Sequence, residues 1–189
     1  MEQLTDEELI ALCANGDRAA MDVLVCRYHP SVLELAMRHL RDREAAADVA
    51  QTCLVRVYQS SGSFGGKSSF RTWLYAIALN LIREECRRRQ RRREALSSET
   101  AYEALEPELE TAEDSAEEAA VSRMESAALW QAVERLPERH RNAIILRFRL
   151  DLSYEEIGEV MRAPSGTAKS WVHHALRKLK KSLGGEDQL

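Results

Sequence analysis

Apolar residues recur at three- and four-residue steps through most of the chain, and the two-residue alternation of strands is nearly absent. The pattern predicts helices throughout. Thr5-Asp6-Glu7-Glu8 has the layout of a capping box, opening a helix with Leu9, Ile10 and Cys13 on one side that Asn15-Gly16 ends. Asp17 then caps a longer helix carrying Met21, Leu24, Val25, Tyr28, Val32, Leu35, Ala36 and His39, with a kink expected at Pro30. A third helix is predicted from about Arg43 to Tyr58, its apolar stripe formed by Ala47, Ala50, Leu54, Val57 and Tyr58.

The next stretch breaks the pattern. "SSGSFGGKSS", 60–69, holds three glycines and five serines around one aromatic, Phe64, and predicts a mobile polar loop. From Phe70 a fourth helix, "FRTWLYAIALNLIREECRRRQRRR", begins apolar and aromatic and finishes as an arginine comb. Helical periodicity returns near Ser122, where Ser122-Arg123-Met124-Glu125 is a further capping-box pattern and Leu129, Trp130, Val133 and Leu136 form a stripe. Pro137 suits the first turn of the helix that follows. Ser153-Tyr154-Glu155-Glu156 caps a short helix to Met161, "RAPSG" interrupts it, and a last helix runs to Gly184-Gly185. The fold class is therefore all-α, with two small helical domains.

Charge adds the division between them. The chain of 189 residues carries a formal net charge of −4. The segment 94–120 alone carries −10, with no Lys or Arg, so the remainder is +6. Just ahead of it, "REECRRRQRRR" has a local charge of +5. Near-neutrality is thus basic modules joined by an acidic flexible linker, the organisation expected of a nucleic-acid binder rather than evidence against one. The boundaries read from the sequence are 1–93, a linker at 94–121, a second unit at 122–185 and a tail at 186–189.

Four cysteines, Cys13, Cys26, Cys53 and Cys86, show no C-x-x-C pairing and sit in apolar helical patterns, so they read as buried reduced thiols rather than disulfide partners. The N-terminus is acidic and lacks a signal-peptide layout, and no apolar run reaches the length of a membrane span. The expected location is the cytoplasm. No phosphate-cradling glycine motif or metal-ligand spacing appears, and His173 and His174 point about 100° apart on one helix, so no catalytic residue, metal or cofactor is expected.

A short helix, a tight turn and a longer basic helix make the helix-turn-helix layout, in which the second helix enters the DNA major groove. "LSYEEIGEVMRAPSGTAKSWVHHALRKL" fits it from end to end, and 135–181 holds eleven basic residues against five acidic ones. Ile157, Val160 and Met161 should pack against Ala168, Val172, Leu176 and Leu179. Thr167, Lys169, Ser170, Trp171, His173, His174 and Arg177 are left facing outward.

"DREAAADVAQTCLVRVYQ", "FRTWLYAIALNLIREECRRRQRR" and "VERLPERHRNAIILRFRLDLSYEEIGEVM", in this order, resemble an extracytoplasmic-function (ECF) sigma factor of the sigma-70 family across essentially the whole chain. The resemblance implies a sigma region 2 four-helix unit and a sigma region 4 helix-turn-helix unit, with core RNA polymerase and promoter DNA as partners. It implies that Asp48, Gln51 and Arg56 dock on the clamp helices of the polymerase largest subunit. Thr52 and Cys53 depart from the family pattern there.

For the minus-ten element the resemblance implies Phe64 and Lys67 in the loop, Asn80 in "ALN", and Arg83, Arg87, Arg88 and Arg91 along the helix toward the backbone. Phe70 and Trp73, at helix-start spacing, read first as core. For the minus-thirty-five element it implies Thr167, Lys169, Ser170, Trp171, His173, His174, Arg177 and Lys178. Trp171 and His174 stand where the family commonly has arginines, Leu176 replaces another, and Arg162 replaces a turn glycine. Trp171 either packs on the DNA backbone or turns back to the core. An anti-sigma factor is a common partner in the family. The competing reading is a stand-alone helix-turn-helix regulator that never touches polymerase, which leaves the first unit and the acidic strap without a purpose.

Overall fold

The computed structural model describes residues 3–97 and 127–183, and among these every regular element is helical. Local chemistry sets the helix starts. Thr5 accepts from the Glu8 amide while Glu8 reaches back to the Thr5 amide, so the predicted capping box opens α1 (Asp6–Ala14). Asp17 accepts from the Ala19 and Ala20 amides at the head of α2 (Arg18–Leu40). Pro30 lies inside α2 without ending it. Asp42 caps α3 (Arg43–Gln59).

The stripe of α3 differs from expectation by one position: Ala46, Ala50, Cys53 and Val57 are buried and Ala47 faces solvent. The buried arc is centred on Ala46, Ala50, Cys53 and Val57, and Ala47 lies about 100° round the helix from Ala46, beyond the edge of that arc. After α3 the polar loop contains a short 3-10 turn, Ser61–Ser63, where a fully irregular loop was expected. Here α4 (Phe70–Ser97) begins, and it continues through Ser97 into the start of the acidic segment. Glu7 of α1 accepts from the Phe70 amide at 3.0 Å, tying the head of α4 to the first helix.

The second unit starts with the described part of α5, 127–134, so the Ser122 capping pattern and most of the linker lie outside the described residues. Next, α6 (Glu138–Phe148) follows Pro137, which stands at its N-cap. Ser153 and Glu156 form the second predicted capping box, at the head of α7 (Tyr154–Met161). Arg162 ends α7 in the left-handed conformation with φ 55°, and α8 (Ser165–Ser182) begins after Pro164.

The seam under α8 is Ala168, Val172, Ala175 and Leu179. Leu176, expected in it, is 43% exposed; the four, three, four spacing selects Ala175 and turns Leu176 about 100° away. The two units share one core. Leu9, Leu24, Leu35, Phe70, Leu74 and Ile82 are fully enclosed in the first, and Ile145, Leu146, Leu152 and Ile157 in the second. The cysteines divide: Cys13 and Cys53 are buried, whereas Cys26 and Cys86 are exposed, contrary to expectation. No described helix is long and apolar enough to cross a membrane.

Packing between the units places their functional faces. On one side α2 meets α5 and α6. Arg149 pairs with Glu34, Arg41 with Glu134 at 2.6 Å, and Arg38 lies over the Trp130 ring at 3.7 Å. The His39 Nε2 lies 2.6 Å from the side-chain amide of buried Asn142. On the other side the head of α4 meets α7, where Arg71 contacts both Glu156 oxygens at 3.2 Å and the Asp151 carbonyl at 3.2 Å.

Candidate nucleic-acid interface

The α4 comb is divided by helix geometry into separate faces. Asn80, Arg83, Arg87 and Arg91 follow one row at helical spacing. Asn80, Arg83 and Arg87 line a groove of about 550 Å³ with Ile77, Arg56 and, from the second unit, Arg162. Arg88 lies on another side of the helix, donating to Glu85 at 2.7 and 3.0 Å and sharing a shallow depression with Asp48 and Thr52. Arg89 spans α4 to α2 and α3, reaching the Leu40 carbonyl and, at 2.8 Å, Asp42. Those hydrogen bonds hold both carboxyls, Glu85 and Asp42, below the ordinary range: the Arg88 bond leads for Glu85, and the Ala45 amide leads for Asp42.

On α3 the expected polymerase-binding residues are likewise parted. Asp48 and Gln51 are exposed on one face, where Thr52 and Val55 complete an i, i+3, i+4, i+7 patch. Val55 is 49% exposed, a large apolar side chain at the edge of an otherwise polar helix face. The sequence pattern assigned it no role, because it lies outside the apolar stripe, on an outer face where only polar residues were weighed. Arg56 turns instead toward α4, lining the Asn80 groove and pairing with Glu84 at 3.4 Å.

The loop residues separate as well. Phe64 is part-buried in an aromatic cluster, its ring centroid 5.2 Å from Trp73 and 6.2 Å from Phe70, whereas Lys67 is exposed. Phe70 is wholly buried and Tyr28 meets it edge-on, so the core reading of Phe70 holds. Tyr28 donates to Asp6, and burial followed by this contact pushes its phenol well above the ordinary value.

On α8, Lys169, Ser170, His173, His174, Arg177 and Lys178 are exposed and Thr167 is half-buried at the first turn. Trp171 takes the inward alternative: it packs against the core and lines a groove of about 780 Å³ opposite Arg83, Arg87 and Cys86 of α4. Met161, Arg162 and Pro164 border the same groove. The turn itself is tight, since a Cβ on Gly158 would lie 2.6 Å from the Ala163 carbonyl oxygen. Arg139, Arg141 and Arg162 add basic character that the sequence pattern alone had not attached to α4, because only packing brings α6 and the turn beside it. Among the described residues no cluster of His, Cys, Asp or Glu suited to a metal ion is present.

Residues 24–92 match the family described as Sigma-70 region 2, and 126–179 match Sigma-70, region 4. The RNA polymerase sigma-H factor of Pseudomonas aeruginosa is 36% identical over 186 residues, covering 97% of this chain and 96% of that protein. The chain belongs to the sigma-70 family, as a sigma factor of ECF type. The ECF RNA polymerase sigma-E factor of Haemophilus influenzae is 32% identical, with 96% of this chain and 97% of that one covered. That of Escherichia coli K12 is 36% identical, with 92% of each covered.

Two solved structures share the fold. CnrH in complex with the cytosolic domain of CnrY aligns with a TM-score of 0.67 at 22% identity, covering 96% of this chain and 99% of that one. The sigma factor RpoE of Bartonella quintana, in complex with the anti-sigma factor NepR, aligns with a TM-score of 0.65 at 22% identity, covering 86% and 96%. As a sigma factor, the chain serves transcription initiation through promoter recognition.

Proposed function

We propose that this sigma factor docks on core RNA polymerase through the α3 face of Asp48, Gln51 and Val55, holds the minus-ten element along α4, and grips the minus-thirty-five element with α8. The observation that carries the assignment is the row of Asn80, Arg83 and Arg87 opposite a helix-turn-helix in the same chain. Guanidinium groups beside an amide suit phosphates and unpaired base edges together. Lys67 and Arg91 extend that row, and Phe64 supports the loop from within its aromatic cluster. Arg88 and Arg56 serve the α3 to α4 junction rather than the DNA row. Thr167, Lys169, Ser170, His173, His174, Arg177 and Lys178 make up the minus-thirty-five surface, with Trp171 as its inner support.

The functional units are the four-helix unit to the end of α4, the acidic strap, and the unit from α5 to α8. Catalysis belongs to the polymerase, in the cytoplasm. The titles of the fold relatives favour an anti-sigma protein as a further partner.

Run-off transcription with purified core polymerase on a genomic promoter library tests the function. Promoter-dependent transcripts are expected, lost when Asn80, Arg83 and Arg87 are replaced by alanine. DNA binding without any core-dependent transcript would favour the stand-alone regulator.

A further inference from the structure

The arginines this chain lacks on α8 are replaced by an arrangement that spans two helices. The ring of His174 on α8 meets that of His140 on α6 edge-on, centroids 6.2 Å apart. One turn further along α8, the Arg177 Nη2 lies 2.9 Å from the His174 Nδ1. A guanidinium only donates and does not lose its proton. Nδ1 of His174 is therefore the acceptor, which makes the ring neutral and leaves its proton on Nε2. The exposed edge presents an N–H donor, while Arg177 is held back along the helix.

His140 is half-buried and its Nδ1 has no partner. Burial, then Lys178 and His174, push it below the usual histidine range. The charged groups around the pair are cationic on α8, namely Arg177 and Lys178. From α7, Ile157 and Val160 enter the apolar seam, Glu156 is committed to Arg71, and Glu155 and Glu159 are exposed. From α5, the Glu134 carboxylate pairs with Arg41 and its carbonyl accepts from Arg141.

We propose that His140 is a positioning residue for promoter reading: with His174 it forms a proton-responsive pair that sets whether Arg177 lies along α8 or reaches DNA phosphate. A proton on the His174 Nδ1 replaces a lone pair with an N–H, so two donors face each other and the contact with Arg177 breaks. The freed guanidinium and the new imidazolium both add to the positive charge offered to the backbone. A charge on either ring opposes a charge on the other across the edge contact, so His140 governs how readily the contact between His174 and Arg177 is released. This rests on the reading of α8 as the minus-thirty-five helix.

The test uses the full chain assembled with core polymerase and a promoter duplex selected from a random pool, against the same duplex with its minus-thirty-five block scrambled. Expected is an affinity for the promoter duplex that rises about tenfold between about pH 8 and about pH 6, since one linked proton gives up to tenfold per pH unit. The salt dependence should steepen by about 0.9 for the added phosphate contact. His174→Gln should flatten the profile, His140→Gln should move its midpoint, and His173→Gln should leave both unchanged. In parallel, ¹⁵N spectra of the free chain should report His174 protonated at Nε2 alone near neutral pH.

A pH-independent affinity, a profile that survives His174→Gln, or a neutral His174 protonated at Nδ1 overturns the proposal while α8 still prefers the intact block. An absence of any preference for the intact block at every pH overturns the reading of α8 itself, and the proposal with it.

Discussion

At the scale of single residues, the buried contact between His39 and Asn142 makes the sharpest demand. The His39 Nδ1 lies 2.8 Å from the Leu35 carbonyl and its Nε2 lies 2.6 Å from the Asn142 Oδ1, so both ring nitrogens face acceptors and both contacts favour the protonated ring. Burial lowers the affinity of His39 for a proton, against the opposing effect of these two hydrogen bonds. Its folded value lies below its unfolded one, so the unfolded chain takes up a proton that the folded chain resists. Stability should therefore fall as the pH drops below about 6.5. His39→Gln should shrink that fall, measured by urea denaturation between about pH 7.5 and about pH 5.5. Asn142→Ala should cost about 2 kcal/mol at neutral pH by leaving the ring nitrogen unpaired. At the surface, Val55→Glu should weaken core polymerase binding by about tenfold or more, read by fluorescence anisotropy with unchanged thermal stability.

Elements show the same economy in the turn between α7 and α8. Gly158 accepts the close approach of the chain, with its carbonyl bonded by the Ala163 amide at 2.8 Å. Gly158→Ala forces its Cβ against the Ala163 carbonyl, and a loss of about 2 kcal/mol in chemical denaturation is expected. Arg162 presents the opposite case, because its left-handed backbone is one that glycine adopts without strain. Arg162→Gly should raise stability by about 1 kcal/mol. It should also weaken promoter binding, since the guanidinium borders the groove that contains Asn80 and Arg83.

At the scale of the molecule, the two units lie against each other with Trp171 and the α7 to α8 turn opposite the basic row of α4. On the proposed reading the two units hold separated promoter elements at once, which calls for them to part. Beside the buried His39–Asn142 contact, the exposed contacts that join them suit that need. Glu34–Arg149, Arg41–Glu134, Arg71–Glu156 and Arg83–Glu138 are part-exposed ion pairs, each worth up to about 1 kcal/mol and weakened by salt. Small-angle scattering should show the radius of gyration increasing with ionic strength, and Glu34→Arg should produce the increase at low salt. Combining Glu34→Arg with Arg149→Glu should restore the compact form.

The helices and their starts were legible along the chain, because capping boxes such as Thr5 to Glu8 and Ser153 to Glu156 are satisfied within four residues, and apolar periodicity reports which face is buried. The same local signals carried the family resemblance and the helix-turn-helix. Tertiary structure decided what each exposed side chain faces. Arg83 and Arg88 look alike in the comb, yet only Arg83 lies with Asn80, because five residues of helix rotate them to different neighbours. His140 and His174 are 34 positions apart in sequence and meet only because α6 and α8 pack together. Trp171 turns inward for the same reason: the choice between core and DNA depends on the helices beside it, which local sequence does not contain.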